Sequence, residues 1–148
     1  MNNTEKTLDY WIKRSQEIAT KVHDGQIRRN GGAYIEHPAR VAAKSPENLK
    51  PIAWLHDTIE DHPDKISLND LKEEGFPDYI ISAVDLLSHK DGDSNEVYWN
   101  KIAKNPDATT VKLLDIQDNL NSTPSDHAKK KYAIAIALFE KLGYSMPD

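Results

Sequence analysis

Apolar residues along this chain recur in steps of three and four, which is the spacing of one face of an α-helix. The first stripe of this kind lies near the amino terminus and predicts a helix at about 4–23. Its members are Leu8, Trp11, Ile12, Ser15, Ile18, Ala19 and Val22. No segment alternates between apolar and polar residues as a half-buried strand would. The pattern therefore predicts an all-α fold.

Turn and capping signals divide the rest of the chain into further helices. Proline suits the first turn of a helix, serine and asparagine suit its N-cap, and glycine suits the position after its end. These signals predict helices at about 38–42, 51–61, 68–74, 77–89, 95–103, 108–120 and 126–142. The segment 24–34 contains three glycines and little periodicity, so we expect a loop there that brings backbone close to a ligand. The prediction is a compact domain of seven or eight helices.

Composition excludes several classes of function. The length of 148 residues fits one domain, residues 1–148, and the 24 acidic and 19 basic residues give a formal net charge of −5. This charge argues against broad binding to nucleic acid or to anionic membranes. Because the chain has no cysteine, disulfides, thiolate metal sites and cysteine nucleophiles are excluded. Any metal must be bound by histidine, carboxylate and water.

Apolar segments are too short for a membrane protein. The longest run, 132–139, falls far below the roughly 20 residues that a membrane helix requires, and the polar amino terminus gives no secretion signal. We therefore expect a soluble cytoplasmic protein with no membrane or nucleic-acid partner. The sequence leaves open whether the chain forms a homo-oligomer.

The segment 53–61 concentrates candidate metal ligands directly after an apolar stretch. On a continuous helix, at about 100° per residue, His56 and Glu60 would share one face, and Asp57 and Asp61 would share the adjacent face. Three carboxylates this close stay ionised near neutral pH only if a cation or several hydrogen-bond donors offset their repulsion. We interpret the segment as part of a divalent metal site, and the alternative is a solvated acidic helix face.

Two further segments offer ligands that could complete such a site. His37 precedes a proline at the junction of a loop and a helix, from which an imidazole can reach a neighbouring helix. Asp115 interrupts an otherwise apolar sequence, with Asn119 on the same helical face and Lys112 three residues earlier. An aspartate buried at such a position must be paired or metal-bound.

The order of these residues resembles the ligand set of the HD-domain phosphohydrolases. The resemblance is closer to the hydrolase domain of RelA/SpoT enzymes and to small stand-alone alarmone hydrolases of the Mesh1-like kind. Three blocks carry it, in the family order: 19–38, with a His-x-Gly-Gln-x-Arg-Arg motif; 55–61, with His-Asp-x-x-Glu-Asp; and 111–120. The resemblance implies a compact HD-domain helical fold without a synthetase or regulatory domain.

The resemblance also implies a metal centre and a reaction. The ligands of one divalent ion, typically Mn²⁺, would be His37, His56, Asp57 and Asp115, and the same donors suit Zn²⁺ or Fe²⁺. Glu60 and Asp61 would stand beside the attacking water as catalytic residues. The implied reaction is removal of the 3′-pyrophosphate from (p)ppGpp, which yields GDP or GTP and pyrophosphate.

The same resemblance implies a small-molecule partner, a nucleotide substrate, and a pocket that binds it. Its candidate residues are Arg28, Arg29, Tyr34, Lys112 and Asn119. Leu114 and the segment 116–118 depart from the family pattern at the border of this pocket. Alternative substrates are therefore ppApp, the 2′-phosphate of NADPH and nucleoside monophosphates, and a non-catalytic nucleotide sensor is the alternative outside enzymes.

The remaining histidines and the tryptophans are predicted to be structural. We expect His23 to pack behind the site rather than to bind metal. His62, His89 and His127 lie in polar surroundings and are predicted to be on the surface. The three tryptophans occupy apolar helical positions, which predicts that they pack in the core. The last helix is apolar on more than one side, which predicts either deep burial or a partner surface.

Overall fold

The structure, a computed structural model, describes residues 5–147 and is all-α over that range. It contains nine α-helices and one 3₁₀ helix, at Glu47–Leu49. The helices are α1 Leu8–Val22, α2 Glu36–Lys44, α3 Lys50–Leu55, α4 Thr58–Asp61, α5 Leu68–Glu73, α6 Asp78–Leu87, α7 Asn95–Ile102, α8 Pro106–Leu120 and α9 Asp126–Lys141. The only β-type pairing in this range is an isolated bridge between Ile27 and Ala33 in the predicted loop. The predicted fold class is confirmed.

Side-chain caps explain where several of these helices begin. The Thr7 hydroxyl accepts from the backbone N–H of Tyr10 at 3.2 Å, so α1 begins at Leu8; the earlier predicted start, at Thr4, lies outside the described residues. Ser67 and Asp70 form the capping box that their spacing predicted. Such caps satisfy backbone N–H groups that lack a partner in the first helical turn. Further caps of this kind are formed by Ser94, Asn105 and Ser125.

The predicted third helix, 51–61, is broken in two, and this corrects the sequence prediction. The His56 imidazole bonds to the Ala53 carbonyl at 2.6 Å, and the Thr58 hydroxyl donates to the Leu55 carbonyl at 2.8 Å. These side chains occupy carbonyls that a continuous helix would pair with backbone N–H groups, so they compete with the helix. His56 and Asp57 therefore project from a turn between α3 and α4. The face-sharing expected for a continuous helix does not apply across the break.

Helix α3 lies at the centre of the fold, packed against α1, α2, α6 and α8. Its residues Ile52, Ala53 and Leu55 are fully buried. A core element of this kind has little freedom to move, because protein interiors are close-packed. The turn that carries His56 and Asp57 follows it directly and is therefore held rigidly.

The tryptophans and the last helix show how the remaining apolar residues are used. Trp11 and Trp99 are buried in the core, and Trp54 is half-buried against it, so the predicted core packing is confirmed. In α9 one face is buried, through residues that include Phe139, whereas Ile134 is 62% exposed. Across the described residues, the helices lack the length and hydrophobicity that a bilayer-spanning segment needs.

Phe139→Ala tests whether α9 is anchored through its buried face. Phe139 is fully buried, so we expect the variant to lose about 3–5 kcal/mol of the free energy of unfolding, measured by urea denaturation. Ile134→Ala on the same helix is the control, and it should change that free energy by less than about 0.5 kcal/mol. Equal losses in the two variants would contradict the described orientation of α9.

Candidate metal centre

Four side chains from three parts of the fold converge on one point. His37 comes from the first turn of α2, His56 and Asp57 come from the turn between α3 and α4, and Asp115 comes from the middle of α8. One ligand atom from each lies within 4.8 Å of every other. Each side chain is buried except Asp57, which is half-buried. The structure thus brings together the four residues predicted as metal ligands.

The spacing of these atoms fits coordination of a single ion. Nε2 of His37 lies 2.7 Å from Asp115 Oδ1 and 3.7 Å from Asp57 Oδ2. Nε2 of His56 lies 3.0 Å from the same Asp57 oxygen and 3.3 Å from the same Asp115 oxygen. Ligand atoms about 2.1 Å from one ion are separated by roughly 3.0–3.4 Å in octahedral or tetrahedral geometry. The observed distances bracket this range, so the cluster could hold one divalent ion.

Hydrogen bonds on the far side of each imidazole favour the same conclusion. The second ring nitrogen, Nδ1, lies 2.6 Å from Asp118 Oδ2 in His37 and 2.6 Å from the Ala53 carbonyl in His56. A carbonyl oxygen only accepts, so Nδ1 of His56 carries a proton. In a neutral imidazole Nε2 then presents a lone pair towards the two carboxylates. This repulsive contact requires a cation at the centre or a second proton on the ring.

Without a cation, the His56 imidazole takes up a second proton, on Nε2. Burial lowers the pKa of His56, but attraction to Asp57 and the hydrogen bond to Asp115 outweigh it, and the pKa lies well above its ordinary value. Burial likewise opposes protonation of His37, yet bonds to Asp115 and Asp118 raise its pKa. Burial alone would raise the pKa of Asp57, but the positive charge of His56 lowers it to about 2. Protons and a metal ion therefore compete for the same electron pairs.

Lys112 and Asn119 hold Asp115 in place. The Lys112 ammonium lies 3.1 Å from Asp115 Oδ2, and the Asn119 amide donates to Oδ1 at 3.2 Å. Burial would raise the pKa of Asp115, but Lys112 and the histidines keep it well below the ordinary value. Asp115 thus remains ionised in the core, as its position in an apolar sequence required.

Glu60 and Asp61, the predicted catalytic pair, lie on α4 and are exposed to solvent. Glu60 accepts from the backbone N–H of His89 at 2.7 Å, and Asp61 accepts from the Gln26 amide at 3.1 Å. Partial burial raises the pKa of both carboxyl groups, and the nearby charge of Asp57 adds to the rise. A carboxylate with a raised pKa is a better proton acceptor near neutral pH.

A cavity of about 510 Å³ opens beside the four-residue cluster. Two of its wall residues bond to the cluster: the Tyr34 hydroxyl donates to Asp57, and Asn119 donates to Asp115. Arg28 and Arg29 also line it, so four of the five predicted nucleotide-pocket residues meet at this cavity. The fifth, Lys112, does not line it and pairs with Asp115 instead. The volume lies in the range typical of small-molecule sites.

Several residues near the site were not predicted from the sequence. Asp118 contacts His37 and two arginines, Arg28 and Arg40, and Tyr132 lines the cavity. The spacing of Asp118, three residues after Asp115, was the only signal available for it, since three residues place two side chains on one helical face. Its partners lie about 80 to 90 positions away in the sequence.

Gln26 joins two histidines to Asp61, and this corrects one prediction. Gln26 Oε1 lies 2.7 Å from His23 Nδ1 and 2.6 Å from His62 Nε2. His62 is half-buried through this contact, so its predicted surface position was wrong. The same holds for His89, whose ring stacks on a tyrosine at 4.3 Å. The predictions that His23 packs behind the site and that His127 is exposed are confirmed.

Comparison with known proteins gives two kinds of match. The chain is 31% identical over 137 residues to a probable GTP pyrophosphokinase of Mycobacterium leprae (strain TN), an alignment that covers 80% of this chain and 17% of that protein. It is 30% identical over 125 residues to a GTP pyrophosphokinase of Streptomyces coelicolor, covering 75% of this chain and 14% of the relative. The chain therefore spans less than a fifth of the length of these relatives. No family model matches it.

The second match is structural. A solved structure described as a metazoan ortholog of SpoT, which hydrolyzes ppGpp and plays a role in starvation responses, superposes with a TM-score of 0.69. The match covers 95% of this chain and 86% of that chain at 21% identity. The resemblance to the RelA/SpoT-type proteins is confirmed. The structural likeness shows that this chain and the ortholog share a fold.

The affinity of this candidate centre for a metal ion should rise with pH. Because the pKa values of His37 and His56 are raised above the ordinary 6.5, protons still compete with the metal above that pH. We expect the apparent Kd for Mn²⁺ to keep tightening as the pH rises above about 6.5. Calorimetry in buffers of different ionisation enthalpy should detect about one to two protons released per ion. An affinity that is constant above pH 7 would contradict this arrangement.

Proposed function

We propose that this chain is a metal-dependent phosphohydrolase that removes the 3′-pyrophosphate of a guanosine alarmone, (p)ppGpp. The single observation that carries the proposal is the junction of the four-residue cluster with the cavity, through Tyr34 and Asn119. A ligand in this cavity can place a phosphoryl group next to the cluster. The metazoan SpoT ortholog with a similar fold hydrolyzes ppGpp, which supports the proposal.

We assign the metal to His37, His56, Asp57 and Asp115, with Mn²⁺ as the proposed ion. Such an ion supplies Lewis-acid polarisation of a phosphoryl oxygen and lowers the pKa of water. The chain's own residues would hold the ion and orient its ligands. The two imidazoles and two carboxylates fix the site, while the hydrogen bond from Tyr34 keeps Asp57 in one orientation.

Proton transfer is assigned to the carboxylates of Glu60 and Asp61 on α4. In the proposed step, water attacks the phosphorus bonded to the ribose 3′-oxygen, the bond from phosphorus to that oxygen breaks, and the 3′-oxygen is the leaving group. The attacked phosphorus, with the oxygen from water, is released as part of pyrophosphate. Glu60 accepts the proton that the water gives up, and Asp61 orients the water through its free oxygen. The 3′-oxygen takes up a proton, so the products are GDP or GTP and pyrophosphate. The raised pKa of Glu60 supports its role as the base.

Nucleotide binding is assigned to the cavity wall. Arg28 donates to Asn119 at 2.9 Å, which holds its guanidinium at the wall, and the exposed Arg29 is free to contact phosphate. Guanidinium groups stack on purines and bind phosphate through paired donors. Tyr34 and Asn119 complete this assignment, while Lys112 acts on the substrate only through Asp115.

Product analysis tests the proposed reaction. Purified protein with Mn²⁺ is incubated with ppGpp, pppGpp, ppApp, NADPH and nucleoside monophosphates, with Asp57→Ala as the control. Pyrophosphate released from ppGpp or pppGpp by the wild type alone is the expected result. Orthophosphate from NADPH or from a monophosphate, or pyrophosphate from ppApp only, would show that the substrate is a different nucleotide. Binding of ppGpp without any turnover would identify a sensor.

Asp57→Ala and Glu60→Gln should separate metal binding from proton transfer. Asp57→Ala removes a ligand, so we expect loss of both Mn²⁺ binding and activity. Glu60→Gln should bind Mn²⁺ within about threefold of the wild type and lose at least about 10²-fold in kcat, since it lacks the base. Metal content by atomic absorption and kcat on ppGpp are the measurements. Equal loss of metal in both variants would contradict the division of roles.

Arg28→Ala should weaken nucleotide binding with the metal retained. Loss of a charged contact to the substrate is expected to raise KM by about tenfold, equivalent to about 1.4 kcal/mol. Arg14→Ala is the matched control, because Arg14 also pairs with a carboxylate but lies on α1. An unchanged KM in Arg28→Ala would show that Arg28 does not bind the nucleotide.

A further inference from the structure

Asp118 is a buried carboxylate that the proposed mechanism does not use. It lies on α8 one turn after Asp115 and is only 5% exposed. Its Oδ2 atom lies 2.6 Å from His37 Nδ1, and Arg40 contacts both of its oxygens, at 2.7 Å through Nε and at 3.1 Å through Nη2. A longer contact of 3.3 Å joins it to Arg28. One carboxylate therefore accepts hydrogen bonds from three cationic or potentially cationic side chains.

The partners of Asp118 determine where the proton of His37 lies. Two guanidinium groups keep the carboxylate ionised, and an ionised carboxylate has no proton to donate. His37 must therefore donate through Nδ1. In the neutral ring this leaves the lone pair on Nε2, the nitrogen that faces Asp57 and Asp115.

We propose that Asp118 is a positioning residue that fixes the tautomer and orientation of His37 for metal binding, with Arg40 as its counter-ion. The proposal rests on the metal site of the proposed function but not on the identity of the substrate. Outer carboxylates that bond to a ligating histidine typically change metal affinity by 10- to 100-fold when they are replaced. Asp118 does not touch the metal or the substrate in this arrangement and acts only through His37.

Replacement of Asp118 by asparagine introduces an NH₂ donor beside His37 and Arg40, which both already donate to this side chain. If the new amide NH₂ faces His37, it forces Nδ1 to accept, and the proton moves to Nε2, which can no longer bind metal. If the NH₂ faces Arg40 instead, two donors meet at a position where donor and acceptor are now 2.7 Å apart. We expect Asp118→Asn to weaken Mn²⁺ binding by about 10- to 100-fold.

The affinity for the nucleotide should change less than the affinity for Mn²⁺ in Asp118→Asn. Arg28 keeps its shorter bond of 2.9 Å to Asn119 when the contact of 3.3 Å to Asp118 is weakened. At saturating Mn²⁺, KM for ppGpp, or Kd if there is no turnover, should therefore change by less than about threefold. A general collapse of the site would shift the metal and nucleotide affinities together.

A second substitution should restore the metal site. The side-chain oxygen of a glutamine at position 40 can occupy the place of Arg40 Nε, where it accepts from the introduced amide and turns the amide oxygen towards His37. The double variant Asp118→Asn with Arg40→Gln is therefore expected to bind Mn²⁺ at least about fivefold more tightly than Asp118→Asn alone. A residue that merely joins α2 to α8 would give the opposite result, because the double variant loses the ion pair as well.

The chain offers a matched control for loss of an ion pair. Arg14 and Glu74 form a fork of the same kind at 2.7 and 2.9 Å, between α1 and the end of α5. Glu74→Gln should leave the Kd for Mn²⁺ unchanged within about twofold. Mn²⁺ affinity is measured by the electron paramagnetic resonance signal of free Mn²⁺, with folding of each variant checked by circular dichroism.

The outcomes separate this proposal from the proposed function. Wild-type affinity in Asp118→Asn, or a double variant that binds no better than the single one, would overturn the role of Asp118. Weak binding restored by the double variant supports it even if the wild type fails to hydrolyse ppGpp. If Asp118→Asn does not fold, ¹⁵N resonances of the Zn²⁺-loaded wild type decide, and a His37 Nδ1 without a proton overturns the proposal. A wild type that binds no divalent ion overturns both.

Discussion

Two imidazole nitrogens and two carboxylate oxygens meet at one buried point in this fold, and that convergence is the constraint on which the rest depends. With Nδ1 of each ring engaged by its own acceptor, Nε2 has to face Asp57 and Asp115. A lone pair against a carboxylate is stable in the interior only with a positive charge between them. The cluster could therefore hold a cation, and protons on the rings supply the positive charge without one.

The surrounding helices keep these groups from relaxing apart. The core helix α3 ends at the turn that carries His56 and Asp57, and packing of α2 and α8 against α3 brings His37 and Asp115 to the same place. Asp115 is ionised on the inner side of α8 because Lys112 and Asn119 bond to it. Relaxation would separate helices whose apolar side chains form the core, so burial supplies the rigidity that a metal site requires.

The cavity and the metal centre share their wall rather than lying apart. Tyr34 and Asn119 each line the cavity and bond to a proposed metal ligand. A bound nucleotide would therefore contact the groups that orient the ligands. This shared wall is the physical basis for proposing hydrolysis rather than binding alone.

Much of the fold and the centre of the site could be predicted from the sequence. Helical periodicity and caps gave the all-α class, and an aspartate in an apolar run marked Asp115. The break at His56 could not be seen in the pattern, because it arises from side chains that take carbonyls from the backbone. Asp118 and the bond from Gln26 to Asp61 were missed, since these partners are distant in sequence and only the folded chain brings them together.

Anomalous diffraction at the manganese edge, from crystals grown with Mn²⁺, tests the central claim most directly. The structure predicts one strong peak per chain, roughly 2.0–2.4 Å from Nε2 of His37 and His56 and from one oxygen each of Asp57 and Asp115. No peak at this point, or a peak bound only by surface carboxylates, would contradict the claim that these four residues form a metal centre.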